Sequence, residues 1–311
     1  MKIRNKEVKS FHIEGKQVAH AWMNGKMIYN HNNFYFKVVN GEATLIRGNC
    51  GQKGILRIPS YVKDEQGRAY PVTNIEGGEA TSYDATAFYN NSNITEIHIP
   101  GSVKSIGINA FCGCGNVRVI DIAEGVETLN VWSFRNIPAG WYDENVYMTL
   151  NIPSSIKNLS VAGWQGPFVN NGYPGGAGFN QQKGVRCYWI VNFAETIQTN
   201  TIPTRMFWQF GTCKNLIFPE GIEVIESEAL AQNAYGSITF PESLQTLKNA
   251  FGDFYGMNNM YFKGDVPEVQ EGDINALKAH LAGKIYVPAK YYDNYVNDSM
   301  WSRISDKIMS R

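Results

Sequence analysis

The chain has 311 residues, and its 28 Lys and Arg residues balance its 28 Asp and Glu residues, so the formal net charge is zero. Zero net charge excludes a whole-chain electrostatic attraction to nucleic acid or to acidic lipid. Charged residues make up only 18% of the chain and aromatic residues 13%. This composition favours a β-rich, contact-making protein over a soluble metabolic enzyme.

Residues 1–30 predict a small β module that is separate from the rest of the chain. Strand-like runs at Gln17–Met23 and Met27–Tyr29 lie on either side of Asn24-Gly25, and Asn-Gly is the strongest two-residue hairpin signal. Strands of this length bury little apolar surface. We therefore expect the module to dock on the rest of the chain or on a partner.

The sequence after Met1 contains no apolar segment of signal-peptide length. It also contains no unbroken apolar run long enough to cross a bilayer, so we expect no membrane insertion. If Met1 is the native start, the protein is expected to be made in a cytoplasm, and to stay there or leave inside an assembled particle.

Phe34–Ile46 predicts a second hairpin, with Asn40-Gly41 at its turn. We interpret this hairpin as a cap that covers the open edge of a repeat array, because arrays of stacked repeats require such caps. The strand Leu56–Pro59 follows, and a further hairpin is expected around Asp64–Gly67.

Ile94–Ile122 contains a unit that recurs along most of the chain. The unit is a strand ending in Ile-Pro, then two apolar residues three apart, then a small residue followed by an aromatic one. Its copies cannot bury their apolar edges alone and must stack, and units of about 22 to 26 residues fit leucine-rich repeats. The predicted fold class is therefore a β-rich α+β leucine-rich-repeat solenoid with short strands over residues 31–311. Strands of this type lie at Ile97–Pro100, Ile120–Ala123, Leu150–Pro153, Leu216–Pro219, Ile238–Pro241 and Ile285–Pro288.

The pattern I-x-I-P…V-x-x-I…A-F…C-x-x-V/L resembles the Treponema/Bacteroides-type, surface-antigen-like family of bacterial leucine-rich repeats. Ile97–Val117 and Leu216–Ile238 match that pattern, and the resemblance extends over residues 34–311. The resemblance implies that the tail from Ile285 through Trp301 to Ile308 forms a C-terminal helical cap.

Two insertions, at residues 132–147 and 163–184, interrupt the repeats. Insertions in solenoids lie in loops on one face, which is often the binding face. Tyr and Trp beside Asn and Gly is the composition of recognition loops. We therefore predict a binding site built from eight aromatic residues of these insertions: Trp132, Trp141, Tyr142, Tyr147, Trp164, Phe168, Tyr173 and Phe179.

The remaining residues predict no catalytic group, no metal site and no cofactor. Cys114 lies three residues before Val117, and Cys213 lies three before Leu216. Both cysteines therefore fill one column of the repeat, which takes Asn or Cys for structural reasons. The five histidines form no metal-binding helix pattern, and His98, between two core isoleucines, should point to the opposite face of its strand.

Two functions remain open at this stage. The first is a non-enzymatic structural or adhesive virion component of a bacteriophage, of the tail or fibre type. Residues 8–29 resemble the double-hairpin segments that open tail and fibre proteins of phages infecting gut Bacteroides-type bacteria. This reading implies that residues 1–30 bind other virion proteins and that the solenoid contacts a host-surface protein or glycan. It allows a homo-oligomer and implies no nucleic-acid partner.

The second function is a bacterial cell-surface leucine-rich-repeat adhesin, as relatives of the repeat class suggest. This reading requires an export signal. A glycan-acting enzyme is a remote third reading, supported only by the aromatic insertions.

Overall fold

The computed structural model describes residues 34–48, 53–63, 67–78, 87–137, 146–160, 166–168 and 187–311 in full, together with the backbone of short strands between residues 2 and 31. Strands dominate the described part of the chain. Numbered along the chain, they are β1 (Lys2–Ile3), β2 (Lys6–Glu7), β3 (His12–Ile13), β4 (Lys16–Gln17), β5 (His20–Met23), β6 (Lys26–His31), β7 (Phe34–Val39), β8 (Glu42–Arg47), β9 (Gly54–Arg57), β10 (Tyr61–Lys63), β11 (Ala69–Ile75), β12 (Ile94–Ile99), β13 (Ser105–Ile106), β14 (Val119–Ile122), β15 (Thr128–Leu129), β16 (Val146–Ile152), β17 (Asn158–Leu159), β18 (Cys187–Phe193), β19 (Thr201–Ile202), β20 (Thr212–Ile217), β21 (Val224–Ile225), β22 (Ala234–Phe240), β23 (Thr246–Leu247), β24 (Gly256–Phe262), β25 (Glu268–Val269), β26 (Ile285–Val287) and β27 (Ile308–Ser310).

Helical structure is confined to the C-terminal end of the described chain. The two α-helices are α1 (Glu271–His280) and α2 (Tyr292–Asn297), and 3₁₀ turns cover Ala289–Tyr291 and Trp301–Lys307.

Ten strands form one parallel sheet, which we call the long sheet. Its order is β27-β26-β24-β22-β20-β18-β16-β14-β12-β9. Equivalent residues of successive repeats pair in register, as Ile97 does with Ile120 and Ile120 with Leu150. These three isoleucine and leucine side chains are buried, so the residues between them point away from the core, to what we call the outer face of the long sheet.

Two-residue strands, together with the C-terminal end of the seven-residue β11, build the second layer of the solenoid. β11, β13, β15 and β17 are parallel neighbours, and so are β19, β21, β23 and β25. Each coil contributes one strand to the long sheet and then a short one to this layer, as β12 and β13 do. The predicted leucine-rich-repeat solenoid is confirmed.

A column of phenylalanine rings fills the core at the turn that closes each coil. The ring centroids of Phe88 and Phe111 are 5.2 Å apart, and those of Phe111 and Phe134 are also 5.2 Å apart. Phe168 and Phe207 continue the column, at 5.2 Å and 6.4 Å from their preceding neighbours. The small-aromatic dipeptide of the repeat is therefore the residue pair that joins one coil to the next.

The N-terminal cap is the predicted hairpin. β7 and β8 pair antiparallel, and Asn40 and Gly41 between them have φ of 54° and 83°, as the favoured hairpin turn requires at both positions. β8 then pairs parallel with β11, which joins the cap to the solenoid. β6 crosses the predicted module boundary at residue 30 and pairs with β7; the boundary itself stays a prediction.

The C-terminal end of the array is covered by α1, α2 and the 3₁₀ turns. Ile308, which the sequence suggested as part of a helix pair, instead begins β27 and pairs with Ile285 of β26. Trp301 is fully buried and donates its indole N–H to the Pro267 carbonyl at 2.9 Å. The tail therefore returns to the long sheet after its helices and adds a last strand to it.

Gly107 lies where the backbones of two coils come closest. Its amide donates to the Ile75 carbonyl at 2.9 Å, and a Cβ at position 107 would overlap the backbone nitrogen of Gly77. Because backbone cannot move aside as a flexible side chain does, we expect Gly107→Ala to lower the free energy of unfolding by about 2 kcal/mol. Urea denaturation measures this change.

The control for Gly107→Ala is Lys104→Ala in the same coil. Lys104 is half-exposed and its ion pair with Glu127 is 3.8 Å long, so the change should stay within about 0.5 kcal/mol of the wild type. Equal stability of the two variants would contradict the close approach of the coils.

Candidate functional site

Five of the eight aromatic residues predicted to bind lie outside the described residues. They are Trp141, Tyr142, Trp164, Tyr173 and Phe179, and their role stays a prediction. The structure describes the other three, which are Trp132, Tyr147 and Phe168, and it places them in three different environments.

Phe168 corrects the sequence prediction. Its side chain is 1% exposed, and its ring stacks on Phe134 with an interplanar angle of 8°. It belongs to the phenylalanine column, although the residues beside it in the insertion do not follow the repeat pattern. A ring enclosed in this column has no surface for a ligand.

Trp132 is half-buried in the turn that closes its coil. It adopts φ of 57°, a left-handed conformation that is uncommon for a large side chain. The guanidinium of Arg135 lies 5.1 Å from the centre of its ring, and its amide donates to the Gly166 carbonyl at 3.2 Å. Trp132 thus fixes the start of the second insertion at the edge of the solenoid.

Tyr147 is the most exposed of the three residues of the predicted set that the structure describes. Its side chain is 64% exposed on the outer face of the long sheet, and its ring stacks on Tyr188 with centroids 5.2 Å apart and an interplanar angle of 14°. The two tyrosines are direct neighbours across β16 and β18.

The Tyr147–Tyr188 pair marks the point where both insertions rejoin the long sheet. β16 begins at Val146 and β18 at Cys187, and these two residues pair in register. Because the strands are parallel, the two insertions enter the sheet side by side at the same end. The sequence placed both insertions on one face, and the structure brings their returning ends to adjacent strands.

The sequence did not single out Tyr188 or two exposed isoleucines on the neighbouring strands. Ile190 in β18 is 52% exposed and Ile217 in β20 is 54% exposed, although isoleucine elsewhere in the repeat fills the core. The alternation of C-Y-W-I-V-N-F in β18 was the available signal. It places Cys187, Trp189 and Val191 inside and the residues between them outside.

Uncharged side chains cover most of the outer face of the long sheet. Lys214 is the single charged residue in seven consecutive strands that the structure describes in full: β16, β18, β20, β22, β24, β26 and β27. We call the outer face of these seven strands the neutral face. Besides Tyr147, Tyr188 and the two isoleucines, it consists mainly of Asn, Thr, Ser and Gly.

The remaining strands of the long sheet carry charges instead. His98 of β12 points outward as predicted, and its ring nitrogens lie 2.9 Å from Glu96 and 3.2 Å from Asp121. Asp121 in turn accepts a hydrogen bond from the Asn151 amide at 3.1 Å. The neutral face therefore begins where β16 follows β14.

Ion pairs lie on the edges and on the short-strand layer. Lys157 pairs with Glu127 at 2.9 Å, and Lys248 pairs with Glu226 at 2.9 Å. Both pairs lie along the two-residue strands. The contrast between this layer and the neutral face is a property of the fold and not of the overall composition.

A comparison with protein families matches a BspA type leucine rich repeat region, in six copies, to residues 81–160 and 186–276. These residues are more than half of the chain. The chain belongs to the BspA-type leucine-rich repeat family. The gap between the two matched ranges falls on the second insertion.

Solved structures with the same kind of repeat share little sequence with this BspA-type chain. A leucine-rich repeat protein from Bacteroides capillosus is 21% identical, with 54% of this chain and 98% of that one covered, at a TM-score of 0.35. A leucine rich cell surface protein from Faecalibacterium prausnitzii is 14% identical, covers 86% and 90%, and has a TM-score of 0.30. A leucine-rich repeat protein from Bacteroides ovatus is 15% identical, covers 90% and 75%, and has a TM-score of 0.33. No curated protein matches the chain.

Cys114 has a structural role, as predicted, but the prediction that Cys213 shares its column is wrong, because Cys213 lies within β20, in register with Trp189 and Tyr235, whereas Cys114 lies in the turn before β14. Cys114 donates its thiol to the Phe88 carbonyl at 3.2 Å. Four coils later, Asn233 occupies the position equivalent to Cys114, and its side-chain amide donates to the Phe207 carbonyl at 2.5 Å. Both residues hold the carbonyl of the aromatic residue in the preceding coil, which is why the column accepts either Cys or Asn.

Neither a metal site nor a spanning helix is present in the described residues. No group of three or more His, Cys, Asp or Glu side chains there could hold a metal ion. None of the helices in these ranges has the length and apolar character needed to cross a bilayer.

Four cysteines are expected to be unreactive in the folded protein. Burial raises the pKa of Cys112 and Cys213 to about 11 and that of Cys114 and Cys187 to about 12. The thiolate is the reactive form, so a thiol reagent at pH 8 should label none of the four until the protein unfolds. A Cys50→Ser background keeps Cys50, which lies outside the described residues, from contributing.

The measurement counts labelled thiols by mass spectrometry before and after addition of denaturant. We expect none before and four after. Labelling of any of the four at the rate of a free thiol in the native protein would contradict their burial.

Proposed function

We propose that this protein is a non-enzymatic binding protein, a leucine-rich-repeat adhesin of a bacterial cell surface. The neutral face with its stacked Tyr147–Tyr188 pair carries the proposal. Tyrosine combines a large, rigid ring with a polar hydroxyl group, and exposed tyrosine among Asn, Ser and Gly is typical of surfaces that bind macromolecules. The strands that follow the two insertions, β16 and β18, begin beside this pair.

The architecture also supports binding without catalysis. The core is continuous from the N-terminal cap to α1, so the neutral face is one wall of a packed stack. Among the described carboxylates, Glu226 is bound to Lys248, and Glu228 is bound to Arg205 at 2.7 Å. These groups stabilise contacts between coils and are turned away from the neutral face.

The cell-surface location is supported by the repeat class, which resembles the surface-antigen-like bacterial proteins. The virion reading rests on residues 8–29, which resemble the opening segments of phage tail and fibre proteins. The comparisons with known proteins give the virion reading no support. Fractionation of the producing cells separates the two readings: we expect the protein in the envelope fraction, whereas co-purification with phage particles would favour the virion.

The binding function is tested with Tyr147→Ala/Tyr188→Ala. Each tyrosine lost from the centre of a contact surface costs on the order of 1 kcal/mol or more, so the double variant should bind at least about tenfold more weakly. The measurement is the amount of labelled protein retained on intact cells from a panel of bacterial and animal sources, as a function of protein concentration.

Tyr61→Ala is the matched control. Tyr61 lies on β10, outside the long sheet, and its side chain is 52% exposed, so its removal should leave retention unchanged. If no cell retains the wild-type protein, or if both variants bind as the wild type does, the proposed function is wrong.

A further inference from the structure

The charge of the neutral face restricts what it can bind. Sulfate, phosphate and carboxylate groups on a ligand are normally met by Arg or Lys. The seven strands offer only Lys214 for this purpose, and the guanidinium of Arg311, which follows β27, already lies 5.2 Å from the centre of the Tyr261 ring and donates to the Phe262 carbonyl at 3.3 Å. A cationic ligand would find no carboxylate in these strands either. Charge complementarity therefore favours a ligand without charge.

The spacing of the neutral face is regular. Neighbouring strands lie about 4.8 Å apart, and side chains in register repeat at that spacing. Tyr147 stacks on Tyr188 at 5.2 Å, and Tyr261 stacks on Tyr286 at 5.0 Å. The Asn192 amide donates to the Asn151 side-chain oxygen at 2.8 Å. Pairs of like side chains that lie one strand spacing apart suit a polymer of like units, and one sugar ring is comparable in length to one strand spacing.

The side chains also match the two surfaces of a sugar ring. The C–H groups on one side of a pyranose pack on the electron-rich face of an aromatic ring, and each tyrosine of a stacked pair has one face that its partner does not cover. Asn side chains both donate and accept hydrogen bonds, and Thr and Ser hydroxyls do the same, so they match sugar hydroxyls without needing charge. Ser237 already donates to the Asn215 side-chain oxygen at 2.9 Å on the neighbouring strand, which holds that amide in place.

We propose that the neutral face binds an uncharged polysaccharide, whose chain crosses the long sheet diagonally, from the Tyr147–Tyr188 pair near the start of β16 and β18 towards the Tyr261–Tyr286 pair near the end of β24. This inference rests on the proposed binding function and specifies its ligand. A protein partner fits less well, because protein interfaces have an apolar core that excludes water. Ile190 and Ile217 instead pair in register with Thr149 and Thr239.

The first experiment is affinity electrophoresis of the full chain in gels that contain one purified polysaccharide each. The neutral set is glucan, mannan, galactan and xylan, and the charged set is heparin and polygalacturonate. We expect retardation by at least one neutral polysaccharide. The dissociation constant for it should change less than about twofold between low and high salt, because no ion pair forms. Retardation by the charged set alone, or by none of the six, would overturn the inference.

The variants locate the site on the neutral face. Tyr147→Ala/Tyr188→Ala should weaken binding to the retarding polysaccharide at least about tenfold, and Tyr61→Ala should leave it unchanged. Circular dichroism of each variant shows that the fold is intact. Unchanged binding by the folded double variant would overturn the assignment to this face.

Treated cells distinguish failure of the ligand class from failure of the proposed function. Periodate cleaves the vicinal diols of sugars, and protease removes surface protein. We expect cells treated with periodate to retain no protein, and cells treated with protease to retain as much protein as untreated cells. If protease abolishes retention and periodate does not, the ligand is a protein: the inference then fails while the proposed binding function stands.

Discussion

Phe134→Ala is expected to lower the free energy of unfolding by about 4 kcal/mol, because it removes the middle ring of the phenylalanine column. Phe134 is 1% exposed, and it stacks on Phe111 and on Phe168 at 5.2 Å each. Truncation loses the transfer free energy of the ring, leaves a cavity that flanking coils cannot fill, and loses two stacked contacts. Urea denaturation followed by circular dichroism measures the loss.

The solenoid architecture gives this variant a second signature. Repeat stability is approximately a sum of coil and interface terms, so a weak interface at Phe134 should separate the unfolding of the coils before it from that of the coils after it. We expect the single wild-type transition to broaden or divide. Phe134→Leu keeps most of the volume and should cost less than about 1.5 kcal/mol. A loss below 1 kcal/mol for Phe134→Ala would contradict the stacked column.

Asp273→Ala is expected to lower the free energy of unfolding by about 3 kcal/mol. It removes the side chain that accepts the last hydrogen bonds of the ladder between coils. In preceding coils, Glu228 donates its amide to the Asn249 carbonyl, and Leu230 donates to the Ala250 carbonyl, both at 2.9 Å. After Asn249 and Phe251, the next coil (β24 and β25) has α1 in place of a closing turn. The amides of Asn249 and Phe251 donate to the two oxygens of the Asp273 carboxylate at 2.8 Å and 3.3 Å.

Asp273 therefore replaces the carbonyl groups of a missing closing turn. It is fully buried, and its Oδ2 also accepts from the Gln270 amide at 3.4 Å, which ties the start of α1 to the last coil. Removal leaves three amide donors without their acceptor, each at a desolvation cost of about 1 to 3 kcal/mol that is not fully additive.

Asp273→Asn provides the control for shape. The amide keeps one acceptor oxygen but presents an NH2 group to an N–H donor. The free energy of unfolding of Asp273→Asn should therefore lie between those of the wild type and Asp273→Ala. Thermal unfolding monitored at α1 by hydrogen exchange should show the cap opening first in both variants. Wild-type stability for Asp273→Ala would show that the carboxylate does not terminate the ladder.

The repeat could be predicted from the sequence because the same spacing of apolar, proline and aromatic residues recurs in most of the coils. Ile99-Pro100 and its counterparts mark the ends of the long strands, and Asn40-Gly41 fixes the N-terminal hairpin by its backbone preference alone. The spacing before Val117 indicated a structural role for Cys114, but the same spacing before Leu216 wrongly placed Cys213, a residue of β20, in that column. Such features depend on residues close together in the chain or on their recurrence.

The binding surface depended on contacts between distant residues and could be predicted only in part. Tyr147 and Tyr188 are 41 residues apart, and only the parallel register of β16 and β18 stacks their rings. The neutral face is likewise a property of seven strands placed side by side. Phe168 was assigned to the contact loops because its neighbours in sequence are Trp, Asn and Gly, whereas its neighbours in space are Phe134 and Phe207.

Oxidative footprinting of tyrosine side chains tests the binding surface most directly. Hydroxyl radicals oxidise exposed tyrosine, so Tyr147 and Tyr61 should both react in the free protein. With the protein bound to cells that retain it, or to the retarding polysaccharide, we expect Tyr147 and Tyr188 to be protected and Tyr61 to react as before. Protection of Tyr61 with continued oxidation of Tyr147 would show that the ligand binds elsewhere and would contradict the neutral face as the contact surface.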